Sequence, residues 1–135
     1  MNKLLLAAVV VFTLYYIFGR RSAETKYALT SQVELDAFLS RDTWGGVHVI
    51  MFHAKWCGYC QEAMPEALRV AADTERLMLV DGDHTFGRTL AKKYKITGFP
   101  TFVKFNHEGN KVDERGGRPK EGIVAFASPP AGTLG

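Results

Sequence analysis

Cys57 and Cys60 lie in the run Trp56-Cys57-Gly58-Tyr59-Cys60, and the chain has no third cysteine. On a helix, positions i and i+3 share one face, so the two sulfurs are close enough to close a disulfide and reopen it. A bridge around so small a loop removes little entropy from the unfolded chain, which makes it a weak staple and a good redox switch. Zinc is a competing use of such a pair. It would need two further ligands, drawn from His48, His53, His84 and His107, and no metal is expected here. An inert buried pair is the other alternative, but the small Gly58 and the aromatic residues around it resemble an exposed turn entering a helix.

With 135 residues, 47% of them hydrophobic and 23% charged, the chain can build one small core. A formal charge of +3, with acids and bases interspersed, gives no footprint for nucleic acid. Repeats and low-complexity tracts are missing, and no Asn-x-Ser/Thr sequon hints at a compartment.

The first twenty residues are a different material. Leu4 to Phe18 is a run of fifteen residues without a charge, preceded by Lys3 and followed by Arg20 and Arg21. As a helix this run covers roughly 22 Å, short of the roughly 30 Å hydrocarbon core of a bilayer. Cleavage after Gly19 would leave Ile17 at the third position back, and cleavage after Ala23 would leave Arg21 there, neither of which suits a signal peptidase. An uncleaved signal anchor over residues 1–20 is the expectation; a cleaved leader giving a secreted or luminal protein is the alternative. Lys3 on one side and Arg20, Arg21 and Lys26 on the other do not fix the orientation.

Beyond it, residues 21–128 read as one domain and 129–135 as a frayed tail with Pro129 and Pro130. Ser31 with Glu34 forms a capping box opening an amphipathic helix with Val33, Leu35, Phe38 and Leu39. Val47–Phe52 is an apolar, β-rich run expected to be a strand covered on both faces, which delivers the chain to Trp56. A helix from about Cys57 carries Met64, Leu68 and Ala72 as its core stripe. Leu77–Val80 is the next strand, Thr85–Tyr94 a helix, and Thr101–Asn106 with Lys111–Arg115 a hairpin around His107-Glu108-Gly109-Asn110. A last helix is expected from Pro119, covering the sheet with Ile123, Val124 and Phe126. Strands alternating with helices and closed by a hairpin give an α/β sandwich around a mixed sheet.

The segment Trp56–Cys60 resembles the active-site motif of thioredoxin-fold oxidoreductases, and Gly98-Phe99-Pro100-Thr101 resembles their cis-proline loop. Pro65 is similar to the proline that kinks their active-site helix, and the segment Tyr94–Phe105 followed by Gly117–Val124 looks more like a protein disulfide isomerase domain than a housekeeping thioredoxin. The resemblance spans about residues 27–127 and implies a thioredoxin fold without cofactor. It also implies a role for Phe99 and Pro100 in flanking the sulfurs and offering backbone groups to an extended substrate; a purely structural cis-proline turn is the alternative. Arg118 matches the arginine that in disulfide isomerases swings toward the second cysteine, or else is a plain surface residue. The pair Gly58-Tyr59 is similar to that of bacterial periplasmic disulfide isomerases and, lacking proline, implies a more oxidising potential than thioredoxin's.

Cys57, at a helix N-terminus whose amides and dipole favour an anionic sulfur, is the candidate nucleophile. Cys60, one turn deeper, is the candidate resolving thiol, with Trp56, Gly58, Tyr59 and Arg118 as supporting residues. One departure stands out. The family usually buries an acid six residues before the first cysteine to relay protons to the resolving thiol, and Met51 stands there, leaving water or His53 for that task. The expected protein is a monomeric, membrane-tethered thiol–disulfide oxidoreductase, held by residues 4–18 and acting on protein thiols and disulfides in an oxidising lumen such as the endoplasmic reticulum. A redox-inert adaptor of the same fold is the alternative, though an adaptor has no need of Cys60.

Overall fold

The computed structural model describes residues 2–41 and 46–129, and at 20–22 the backbone alone. The elements run α1 (Lys3–Lys26), α2 (Gln32–Leu39), β1 (His48–His53), α3 (Gly58–Thr74), β2 (Leu77–Asp81), α4 (Thr85–Lys93), β3 (Thr101–Phe105), β4 (Lys111–Gly116) and α5 (Ile123–Phe126). Their sheet has the order β2-β1-β3-β4, with β1 parallel to β2 and antiparallel to β3, and β3 antiparallel to β4. This is the mixed, helix-flanked sheet of a thioredoxin fold.

Every residue of β1 is buried. Successive side chains of a strand point to opposite faces, so β1 feeds two cores. Val49 and Met51 join Cys60, Met64, Ala67, Leu79, Phe102 and Ile123 beneath α3 and α5. Ile50 and Phe52 join Leu35, Phe38, Val80, Leu90, Val103 and Phe105 beneath α2 and α4. Burying each such side chain fully contributes about 1.5–3 kcal/mol.

Local chemistry sets the ends of these elements. Ser31 Oγ accepts the Glu34 amide at 3.2 Å, as a capping box requires, while the Glu34 carboxylate reaches back one residue further, to the Thr30 amide at 2.6 Å. Those Thr30 bonds hold the Glu34 pKa below its ordinary value. In the hairpin turn Asn106 Oδ1 accepts the amides of Glu108 and Asn110, and Gly109 takes a φ of +82° that a side chain would resist.

Four expectations are corrected. The final helix begins at Ile123, because Gly122, with φ +91°, blocks a helix started at Pro119; Pro119 instead accepts the Gly122 amide in a turn. Val124 is 59% exposed and covers nothing; Ile123 and Phe126 do that work. The stripe of α3 runs through Cys60, Met64, Ala67 and Ala71 with Leu68 half-buried against the same core, and the expected Ala72 falls off it: repeated steps of four drift around a helix, and Ala72 is exposed. On α2 only Leu35 and Phe38 are fully buried, with Val33 79% exposed on the opposite side.

The helix α1 runs past the expected boundary at residue 20 to Lys26; its 24 residues make about 36 Å at 1.5 Å each. Among the described residues it is the one helix long and apolar enough to cross a membrane. The chain then turns at Tyr27 directly onto the edge of β2. The Leu79 amide donates to the Tyr27 carbonyl and the Leu29 amide to the Leu79 carbonyl, both at 2.8 Å, and Ala28 pairs in parallel with Leu79. The tail from Pro130 onward, and the side chains of Arg20 and Arg21, lie outside the described residues.

His48 starts β1 fully buried, edge-on to Phe38 at 5.0 Å between ring centroids. Desolvation pushes its pKa below the ordinary value; the Arg41 carbonyl opposes this, and the charges of Arg41 and Arg76 add to it. Protonation therefore favours the unfolded chain. Stability conferred by neutral His48 is complete above its unfolded pKa of about 6.5 and declines as pH falls below it. Denaturant melts between pH 7.5 and 5 should show this loss, and His48→Phe should flatten the slope; equal slopes in the two proteins would assign the acid sensitivity elsewhere.

Candidate active site

Buried β1 ends at His53, and the chain leaves the sheet through Ala54, Lys55 and Trp56 to enter α3. Cys57 is the N-cap of that helix: its backbone is extended, and its Sγ accepts the Cys60 amide at 3.2 Å. A sulfur replaces the usual cap oxygen, meeting one of the amides that a helix start leaves unpaired. Gln61 braces the turn by donating from Nε2 to the Lys55 carbonyl at 2.8 Å.

Both cysteines are free thiols. Cys57 is 5% exposed and Cys60 1%. The expected exposed turn is thus built by its neighbours, with Trp56 71% and Tyr59 76% exposed, around sulfurs that are themselves sunk. Burial first, and the adjoining Cys57 thiol second, push the Cys60 pKa up to about 12, with the Ala54 backbone amide opposing them. At neutral pH Cys60 keeps its proton.

The loop before β3 closes the other side. Phe99–Pro100 is a cis peptide, and the Cys57 thiol donates to the Phe99 carbonyl at 3.5 Å. The Phe99 ring meets Trp56 edge-on at 6.0 Å. The Pro100 carbonyl is already engaged by the Gly117 amide at 2.8 Å, and Thr101 donates to the Gly98 carbonyl at 2.7 Å, so this loop is fixed to the sheet. Gly82 was not singled out from the sequence, and nothing in its neighbours flags it. A Cβ there would lie 2.2 Å from Phe99 Cζ, so the bare glycine is the seat of the Phe99 ring, while its amide holds the His53 carbonyl at 2.8 Å.

The Arg118 guanidinium pairs with Glu66 of α3, whose other oxygen accepts the Ile123 amide at 3.1 Å. Glu66 thereby ties the start of α5 to α3, and Arg118 is occupied on the outside of that tie. Pro65 lies inside α3, which continues through it to Thr74. Met51 is fully buried between Leu79 and Phe102 in the sheet and brings no carboxylate to the site.

His53, 8% exposed, lines a groove of about 700 Å3 that also reaches Cys60, Gln61, Met64 and, from α1, Glu24 and Ile17. Its pKa lies below the ordinary value through desolvation, against the pull of Asp81 and Glu24 and with the help of Lys55. Lys55 itself is exposed. His48 and His53 have the four-residue gap of a zinc pair, yet an odd separation along β1 turns them to opposite faces. Among the described residues no three His, Cys, Asp or Glu side chains converge on a metal-sized site.

The thioredoxin family model matches residues 29–129. Similar curated proteins include probable protein disulfide-isomerase A6 of Medicago sativa, 38% identical over 90 residues, which are 63% of this chain and 24% of that protein. Protein disulfide-isomerase A6 of Homo sapiens is 34% identical over 93 residues, 65% of this chain and 20% of that one. The chain therefore spans about a fifth to a quarter of these relatives' length. Among solved structures, a mutant thioredoxin of Halobacterium salinarum is similar with TM-score 0.63 and 30% identity, over 74% of this chain and 85% of that one. A thioredoxin of Fasciola hepatica gives TM-score 0.61 and 25% identity, over 75% and 98%.

The geometry makes the two thiols unequal in a measurable way. Near neutral pH, iodoacetamide should label Cys57 first, and Cys60 should stay unlabelled until the pH is strongly alkaline. Peptide mapping of the singly alkylated protein reads the order, and preferential labelling of Cys60 would reverse the roles.

Proposed function

The chain belongs to the thioredoxin family and resembles its protein disulfide isomerase domains, and from this we propose that it is a thiol–disulfide oxidoreductase acting on protein substrates. The observation that carries this reading is the pairing of a helix-capping Cys57 with a buried Cys60 one turn away, both free. As thiolate, Cys57 attacks one sulfur of a substrate disulfide; a mixed disulfide forms and the other substrate sulfur leaves with the electron pair. Cys60 then attacks the Cys57 sulfur, the Cys57–Cys60 bond forms, and the second substrate sulfur leaves as a thiol. The dithiol has given two electrons to the substrate; the reverse sequence oxidises a substrate dithiol. Exposed Trp56 and Tyr59 and the half-buried Phe99 give an extended polypeptide an apolar surface beside Cys57.

The adaptor reading has less in its favour, since peptide binding alone calls for neither a second cysteine nor its burial against the first. We place the domain on a membrane, held as a monomer by residues 4–18, with its site in an oxidising lumen such as the endoplasmic reticulum. Supporting this are the apolar run, its exposure throughout residues 4–18, and the need of disulfide exchange for substrates that carry disulfides.

In Cys60→Ser the attack survives and the resolving step is lost, so mixed disulfides through Cys57 should accumulate in cells and collapse on reduction. Recovery of none would favour the adaptor. Alkaline carbonate extraction should leave the protein in the membrane pellet with Met1 retained, whereas a soluble form starting near Ser22 would show cleavage of the apolar segment.

A further inference from the structure

Resolution by Cys60 needs a proton acceptor, because its thiol is buried and held protonated. The strand position beneath it, Met51, offers none. The groove that opens onto Cys60 does. It is walled on one side by His53 and on another by the last turns of α1, where Glu24 lies near enough to His53 to act on its charge. The backbone amide of Ala54, the residue after His53, favours the Cys60 thiolate.

We propose that His53 is the proton-relay group for Cys60, taking the thiol proton through solvent in this groove, and that Glu24 of α1 is the positioning residue that stabilises the resulting imidazolium. The proposal rests on the oxidoreductase reading above and assigns the anchor helix a part in the chemistry. The groups facing His53 are Glu24 from α1, Asp81 from β2, Lys55 on its own segment and Cys60 from α3. Desolvation and Lys55 keep the ring neutral, ready to accept a proton, while the two acids favour the charged form once it has done so. In the step, Cys60 S–H gives its proton to neutral His53, and the Cys60 thiolate attacks the Cys57 sulfur of the mixed disulfide. The Cys57–Cys60 bond forms as the Cys57–substrate bond breaks, and the departing substrate sulfur is protonated by the imidazolium or by solvent. The mixed disulfide is the only oxidant required.

Ellman's reagent separates the two half-steps in the reduced full-length protein in detergent. One nitrothiobenzoate is released when Cys57 attacks, and a second when Cys60 resolves. In stopped flow, His53→Gln should slow the second release relative to the first by about tenfold or more, in line with general base catalysis, and remove the inflection that the imidazole gives its pH profile on the acid side of an ordinary histidine. Glu24→Gln, a milder change at a partly exposed site, should keep that inflection but move it to lower pH. Two variants whose ratio of second to first release matches wild type at every pH would overturn the relay. So would an equal loss of both releases in the two variants with the wild-type pH profile retained, which is the mark of a structural role. Failure of the wild-type protein to release any nitrothiobenzoate would instead sink the oxidoreductase reading itself, so the two failures are distinct.

Discussion

Everything at the active site hangs on β1 being buried along its whole length, with only His53 at its end reaching a groove. Hydrogen-bonded to β2 along one edge and β3 along the other, and covered by helices above and below, it has no freedom to shift or twist locally. A slip by one residue would exchange the two cores, sending Val49 and Met51 where Ile50 and Phe52 belong. The chain therefore leaves the sheet at a fixed point and in a fixed direction. Cys57 caps α3 because only three residues, Ala54, Lys55 and Trp56, separate it from His53, the last residue of β1, and Gln61 braces them.

Features with short-range causes were legible in the sequence. The cysteine spacing, the apolar run of β1, the Ser31 cap and the Phe99-Pro100 loop each lie within a few residues and carry their own geometry. What was not legible depends on contacts between distant segments or on backbone signs that one-letter patterns hide. Arg118 matched a motif, but its partner Glu66 is 52 positions away and claims it by charge. Pro119 looked like a helix start because proline suits the first turn, and the positive φ of Gly122 three residues later overrides it. The error on Ala72 came from stepping in fours, which a helix of 3.6 residues per turn does not hold for long. Gly82 carries no signal at all until the Phe99 ring is seen lying on it.

Burial of polar and ionisable groups divides this small domain into two kinds of place. His48 is buried for the sake of β1, and its imidazole is tolerated only while neutral. Cys60 is also buried, but beside a groove, so its suppressed ionisation has a route to relief. Desolvation raises the thiol and lowers the imidazole, leaving both neutral at the same pH; what separates the residues is access to an exchangeable proton.

The stitch between Tyr27–Leu29 and Leu79 leaves no slack between α1 and the sheet. A domain on a loose tether searches a volume and meets its partners in any attitude. Here the residues that follow the helix are already part of the sheet edge. A membrane that held the helix would hold the redox domain at short reach, and a partner sulfur far from that surface would be out of range before any side chain had distinguished it.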